Sequence, residues 1–275
     1  MKISVLMENV SNDKSFKVEH GLSLYIQTLD KNILFDTGQS SAFIDNAKKL
    51  GVSLKEADFL VISHGHYDHT GGLKDFLKLN SNAIVYIQKS AFNPYFSDKG
   101  ERGIEPIGID SENLDLNRFY CLGGDYDISD NYRLINKLST STLVSVSNNT
   151  LLKKDDFGTF VKDDFIHEQN LLIKEGDKRV LITGCAHRGI VNIIKQAELY
   201  CGGPLTAVLG GFHLSSPARG TCESDEIING VASFLEQRPT KYYTGHCTGL
   251  IGYGKLKERL KSKVNYLGCS TILEI

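Results

Sequence analysis

The chain has 275 residues, 41% hydrophobic and 23% charged, with a formal net charge of −2. That length suits one large domain with a sizeable core, and the balanced charge without a long basic stretch argues against a nucleic-acid footprint. No segment approaches the ~20 apolar residues of a membrane span, and six cysteines without a CxxC pair or a secretion signal argue against a disulfide framework; a soluble, cytoplasmic protein is the expectation.

Residues 1–9 read as a first strand, with an apolar run too short for the core of a signal peptide. Residues 31–38 read as a strand ending in a glycine turn, Asp36-Thr37-Gly38. A helix is predicted over 42–50, ended by Gly51. The apolar run Phe59-Leu60-Val61-Ile62 is short and β-rich, and reads as a buried strand. Behind it comes Ser63-His64-Gly65-His66-Tyr67-Asp68-His69-Thr70-Gly71-Gly72, which places three imidazoles and a carboxylate within six residues.

Histidine and aspartate are the side chains that bind borderline divalent ions such as zinc. His64 and His66 are two apart and share one side of an extended segment. Asp68 and His69 follow where the chain must turn, and Gly65, Gly71 and Gly72 let the backbone fold tightly around a site. Four such groups crowded together are awkward to desolvate without an ion to bind. The cluster sits at the C-terminal end of a strand, where open α/β folds put their chemistry.

Residues 88–165 are rich in turns and aromatics and read as an insertion, either a solvated excursion or a lid over the site. An insertion here must leave and rejoin the core near the ligand loops. Tyr95, Phe96 and Tyr120 are then expected to give the pocket an apolar wall, with Arg102 or Lys89 meeting an anionic tail. His167-Glu168 leads into a strand at 171–173 and reads as hydrogen-bonded structure. The strand-and-turn pattern returns at 178–184, followed by a helix over 190–200 that stops at Gly202-Gly203-Pro204. A strand over 205–209 leads to Gly210-Gly211-Phe212-His213. The second half thus repeats the first, and each half offers metal-ligand types where its strands end. Periodicity alone gives a mixed α/β domain.

SHGHYDHTGG resembles the H-x-H-x-D-H signature of the metallo-β-lactamase superfamily. The strand and acidic turn at 33–38 and the isolated histidines His187, His213 and His246 extend that resemblance over most of the chain. The segments GCAHRGIVN, GGFHL and TGHCTG are most similar to the group of dihydropterinyl-methyl-ribofuranosylaminobenzene-phosphate synthases. The resemblance implies a single domain over 1–275, an αβ/βα sandwich of the metallo-β-lactamase type.

It also implies a ligand set. One ion takes His64, His66 and His187, which leaves an open position as in catalytic zinc sites. A second takes Asp68, His69 and His246. Many members bridge the two ions with a carboxylate; His213 stands at the comparable place, and an imidazole cannot bridge as a carboxylate does. One tightly held ion and two ions with a water bridge are both compatible with that. Cys185 and Cys247 sit beside ligands. Asp36 and Asp58 are expected to accept the outer N–H of a metal-bound histidine.

The expected activity is hydrolysis of a small phosphate- or ester-bearing molecule. A divalent ion, zinc or else iron or manganese, lowers the pKa of its water to around 7 and supplies hydroxide. Asp68 orients or deprotonates that water, and Arg188 is expected to pair with an anionic substrate group. Two other readings stand beside it: a pterin-related transferase releasing diphosphate, and a non-catalytic metal-binding or redox-sensing protein. The oligomeric state is not readable.

Overall fold

The computed structural model describes residues 1–216 and 220–275. The short apolar runs form strands because each is buried on both faces, the arrangement that turns alternation into continuous hydrophobicity. The first half forms β1 (Lys2–Met7), β2 (Ser23–Gln27), β3 (Asn32–Phe35), β4 (Phe59–Val61) and β5 (Ile84–Gln88). The middle forms β6 (Tyr95–Asp98), β7 (Ile104–Pro106), β8 (Phe119–Leu122), β9 (Tyr126–Ser129), β10 (Tyr132–Ile135), β11 (Leu151–Lys154) and β12 (Phe160–Lys162). The second half forms β13 (Asn170–Glu175), β14 (Lys178–Ile182), β15 (Ala207–Gly210), the short pair β16 (Ser215–Ser216) and β17 (Thr221–Cys222), then β18 (Lys241–Thr244), β19 (Val264–Tyr266) and β20 (Ile272–Glu274).

Two seven-stranded sheets result, ordered β20-β1-β2-β3-β4-β5-β8 and β9-β10-β13-β14-β15-β18-β19. Read in those directions, both show three antiparallel pairings followed by three parallel ones. The repeat visible in the sequence is therefore a repeat of topology. Alternate residues of the two sheets meet in the centre: Ile3, Val5, Ile33, Phe35 and Val61 against Leu171, Ile173, Val180, Ile182 and Leu209. The outward residues Leu34, Leu60 and Ile62 pack on Phe43 of α1 (Ala42–Lys49) and, beyond the four-residue α2 (Tyr67–Thr70), on Phe76 of α3 (Leu73–Leu79). Leu172, Leu181 and Val208 pack outward on α4 (Ile190–Cys201), α5 (Asp225–Glu236) and α6 (Gly249–Leu260). The layers run helix, sheet, sheet, helix. No helix of the described residues is long and apolar enough to cross a membrane.

The middle segment is less of an insertion than its composition suggests. β8 is the edge of the first sheet, and β9 and β10 are the edge of the second. Only β6, β7, β11 and β12 stand apart, as a four-stranded sheet in the order β12-β11-β6-β7. Alternation in these strands is short and interrupted by turns, so the core strands and the extra ones look alike in sequence.

The glycines of the histidine loop serve close approach. None of Gly65, Gly71 and Gly72 has a positive φ, so left-handed freedom is not what the positions need. A Cβ on Gly71 would lie 2.0 Å from the carbonyl oxygen of Gln39, and one on Gly65 2.3 Å from that of Ala91. Backbone atoms cannot step aside cheaply. Gly71→Ala is expected to destabilise the fold by about 1–3 kcal/mol, the scale of overpacking, read as a lowered thermal midpoint; an unchanged midpoint would refute this close packing.

Candidate metal centre

β3 and β4 in one sheet and β14, β15 and β18 in the other end at the same edge, and their loops carry the polar side chains. All eight histidines of the chain gather there, each in ring contact with another. His64 lies 4.6 Å from His66, 4.2 Å from His69, 5.9 Å from His167 and 4.9 Å from His187 between ring centroids. His187 lies 4.2 Å from His213, and His20 stacks on His246 at 4.8 Å.

Two convergent sets stand out. In one, His64 Nε2 and His187 Nε2 are 3.3 Å apart, and His66 brings a ring nitrogen within 4.8 Å of the donor atoms of His64 and Asp68. In the other, Asp68 Oδ2 is 3.2 Å from His246 Nε2 and 3.5 Å from His69 Nε2, and the two nitrogens are 3.2 Å apart. Ligands held at 2.0–2.1 Å around a tetrahedral ion stand about 3.3 Å from one another, so both sets match its edges.

The outer ring nitrogens fit a cation site. His69 Nδ1–H donates to Asp36 Oδ2 at 2.6 Å. The Ser63 hydroxyl donates to Asp36 Oδ2 at 2.7 Å and is thereby free to accept from His64 Nδ1 at 2.9 Å. Asn148 uses its amide nitrogen on the His187 carbonyl, so its oxygen faces His187 Nδ1 at 3.1 Å. Asn9 Oδ1 accepts from Gly21 N–H and from His246 Nδ1 at 2.9 Å. With the outer nitrogens committed as donors, the inner ones bring lone pairs face to face. A cation between them would relieve that opposition.

Electrostatics agree. Burial, with neighbouring imidazoles, holds His64 and His187 well below the usual histidine pKa, so both are neutral at pH 7. Burial would raise the Asp68 carboxyl, but His69 and His246 outweigh it and keep it well below the usual range. Burial likewise opposes protonation of His69, yet Asp36 and Asp68 lift it to about 9. In the metal-free chain a proton thus occupies the second set. A metal entering there displaces about one proton, so its affinity should rise with pH up to about 9; a binding isotherm flat between pH 6 and 9 would contradict this.

The backbone is bent to the same end. Asp36, Ala186, His213 and His246 have positive φ values of 57°, 61°, 47° and 50°. Left-handed non-glycine residues persist where the surroundings over-determine them. Buried carboxylates hold two of these loops: Glu168 accepts from the His187 N–H at 2.6 Å, and Glu8 accepts from the His246 N–H.

Several expectations need correcting. Asp58 stands just before β4, the opposite end from His64. It is exposed and binds Asn32 N–H and Lys31, so it supports no histidine. Arg188 follows His187 in chain but is absent from the lining of the cavity over the centre; it lines a neighbouring polar cavity, which His187 also borders, and donates to the Asn136 carbonyl. His213 joins neither convergent set; its ring nitrogen is brought together with the sulfurs of Cys185 and Cys247. Tyr120 lies on β8, 47% exposed and packed on Tyr86 and Tyr126. Phe96 packs on Phe160, Tyr95 stacks behind the site on His167, and Lys89 lines another cavity.

The cavity over the centre measures about 250 Å³ and is lined by His66, Asp68, His187 and His213. The small extra sheet and the turn before β11 form one wall, through Ser97, Lys99, Ile107, Ser147, Thr150 and Leu151. Sequence reasoning missed Lys99, His20, Asn9, Asn148 and Asp163. His20 Nε2 reaches Asp68 Oδ2 at 3.3 Å, and Asp163 sits between His167 (3.0 Å) and His66 (3.9 Å). Of these, His20 alone carried a signal, being a histidine in a chain that has few.

Residues 17–125 match the family model described as the metallo-beta-lactamase superfamily. A solved structure described as a metal-dependent hydrolase of the beta-lactamase superfamily superposes with a TM-score of 0.83 at 30% identity, over 100% of this chain and 99% of that one. The chain belongs to the metallo-β-lactamase superfamily. An uncharacterized protein of Methanocaldococcus jannaschii is 31% identical over 264 residues, 93% of this chain and 94% of the relative. From the same organism, 7,8-dihydropterin-6-methyl-4-(beta-D-ribofuranosyl)-aminobenzene-5'-phosphate synthase is 27% identical over 100% of this chain and 96% of its own. Zinc-bound PqqB from Methylobacterium extorquens shares the metallo-β-lactamase fold at a TM-score of 0.62 and 10% identity, covering both chains fully.

Proposed function

We propose that this protein is a metal-dependent hydrolase of a small phosphate- or ester-bearing molecule. The observation that carries the reading is the pair of convergent donor sets, in which the outer nitrogens of His64, His187, His69 and His246 are already committed. His64, His66 and His187 would hold one ion, and Asp68, His69 and His246 a second. Zinc suits such donors best, with iron or manganese as alternatives. A bound divalent ion supplies Lewis acidity and an acidified water.

The chain's own groups do the rest. Asp68 Oδ2, which His20 also contacts at 3.3 Å, is the carboxylate available to orient the attacking water. Lys99, Ser97 and Ser216 line the cavity and suit an anionic group, while Ile107 and Leu151 suit an apolar one. A cavity of about 250 Å³ selects a small molecule. Lys99→Ala should raise KM for phosphate-bearing substrates about fivefold, the scale of a partly exposed ion pair, and leave KM for uncharged esters unchanged; equal effects on both would remove Lys99 from anion recognition.

A pterin-related transferase is the second reading, favoured by the whole-chain likeness to the archaeal synthase. The deciding experiment presents metal-loaded protein with phosphomonoesters, phosphodiesters and carboxylic esters, and separately with a pterin diphosphate with and without an aromatic amine. Turnover with water alone supports hydrolysis. Diphosphate release that requires the amine supports transfer. No turnover in either arm contradicts both and leaves a metal-binding protein.

A further inference from the structure

Among the described residues, Cys185 shares with Asp68 the property of a donor atom that groups with members of both convergent sets. Its sulfur groups with Asp68, His69 and His246, and again with His64 and His187, all donor atoms of each group lying within 4.8 Å of one another. It is 3.2 Å from His69 Nε2, 3% exposed, and lines the cavity over the centre. The left-handed Ala186, φ 61°, is the turn that lets residues 185 and 187 both face the centre.

Charge gives this sulfur a task. Without it, two divalent ions would rest on five neutral imidazoles and one carboxylate, Asp68, in a buried site. Uncompensated buried charge is costly, and an anion between the positions offsets it. Cys247 is the weaker candidate, because its thiol donates to the Cys185 carbonyl at 3.3 Å. His213 adds an independent sign: it is 7% exposed, neither ring nitrogen has a hydrogen-bond partner, and its ring nitrogen converges with both sulfurs. Such orphaned buried groups call for an unseen partner.

We infer that Cys185 is a metal ligand whose thiolate is shared between the two positions, making the centre a mixed His/Asp/Cys one. As the sulfur–metal bond forms, the thiol proton leaves to solvent. The inference rests on the metal-centre reading above, and cobalt(II) separates the two. Metal-free protein is titrated with cobalt(II), followed by its visible d–d bands, its near-ultraviolet sulfur-to-cobalt charge transfer and its electron paramagnetic resonance. Wild type and Cys247→Ser should show the charge-transfer band. Cys185→Ser and Cys185→Ala should lose it and keep the d–d bands. In wild type the resonance signal per cobalt should fall as the second equivalent enters, because ions sharing a thiolate couple magnetically; in Cys185→Ser it should not. A cobalt-loaded wild type without the band overturns the inference and leaves the metal centre standing, a result that needs no variant to fold. Persistence of the band in Cys185→Ser, or its loss only in Cys247→Ser, overturns it too, and so does a constant wild-type resonance signal per cobalt. Failure to bind any cobalt overturns the metal-centre reading and the inference with it.

Discussion

His187→Ala should empty the first metal position while the chain stays folded. His187 and His64 lie 123 residues apart in sequence, yet their Nε2 atoms stand 3.3 Å apart. Removing a group that merely supports a ligand costs roughly 10–100-fold in metal affinity; removing the ligand itself should cost more. His64→Ala should behave alike. The check is metal content by elemental analysis alongside circular dichroism. Full occupancy in one variant and loss in the other would show that the two histidines do not serve one ion.

Asp36→Asn should weaken the second position without touching any ligand. Asp36 is fully buried. One oxygen accepts from the Ser63 N–H at 2.7 Å; the other takes the Ser63 hydroxyl at 2.7 Å and His69 Nδ1 at 2.6 Å. The single carboxylate therefore fixes His69 directly and His64 through Ser63. An amide is neutral and offers one acceptor oxygen, so one of these donors loses its partner and His69 loses the charge that sustains its proton. The expected cost is about 10–100-fold in affinity, with the raised pKa of His69 brought back down. Both are measurable, the first by competition with a chelating indicator and the second by nuclear magnetic resonance titration of the metal-free protein. Unaltered affinity would show that Asp36 serves only the turn.

What the sequence displays about this centre is what lies close together along it. The run from His64 to His69 is dense enough to name its own chemistry, and the strand before it gives its place in the fold. His187 and His246 were reached through resemblance, because nothing local marks either as a ligand. Asp36 and Asp58 look equivalent on paper, each flanking a buried strand. Strand direction separates them: Asp36 follows β3, at the edge where the loops meet, and Asp58 precedes β4, at the far edge. Arg188 was misjudged for the same kind of reason. Adjacency in sequence to His187 says nothing of direction: His187 lines both the cavity over the centre and its polar neighbour, and Arg188 only the neighbour. The groups that fix the histidine rings, Asn9 and Asn148, are ordinary surface-type residues in composition. Their partners lie 237 and 39 residues away, a separation that only the two-sheet topology closes. Lys99 sits in the turn between β6 and β7, two strands indistinguishable in pattern from the core strands beside them.

If this edge of the two sheets holds divalent metal, the purified protein should carry it. Elemental analysis of the purified protein, before and after chelation and after dialysis against zinc, iron or manganese, tests it most directly. Roughly one to two ions per chain are expected, the number that two sets of three ligands can hold, lost on chelation and regained on dialysis. A chain that carries no metal as purified and takes up none of the three would contradict it.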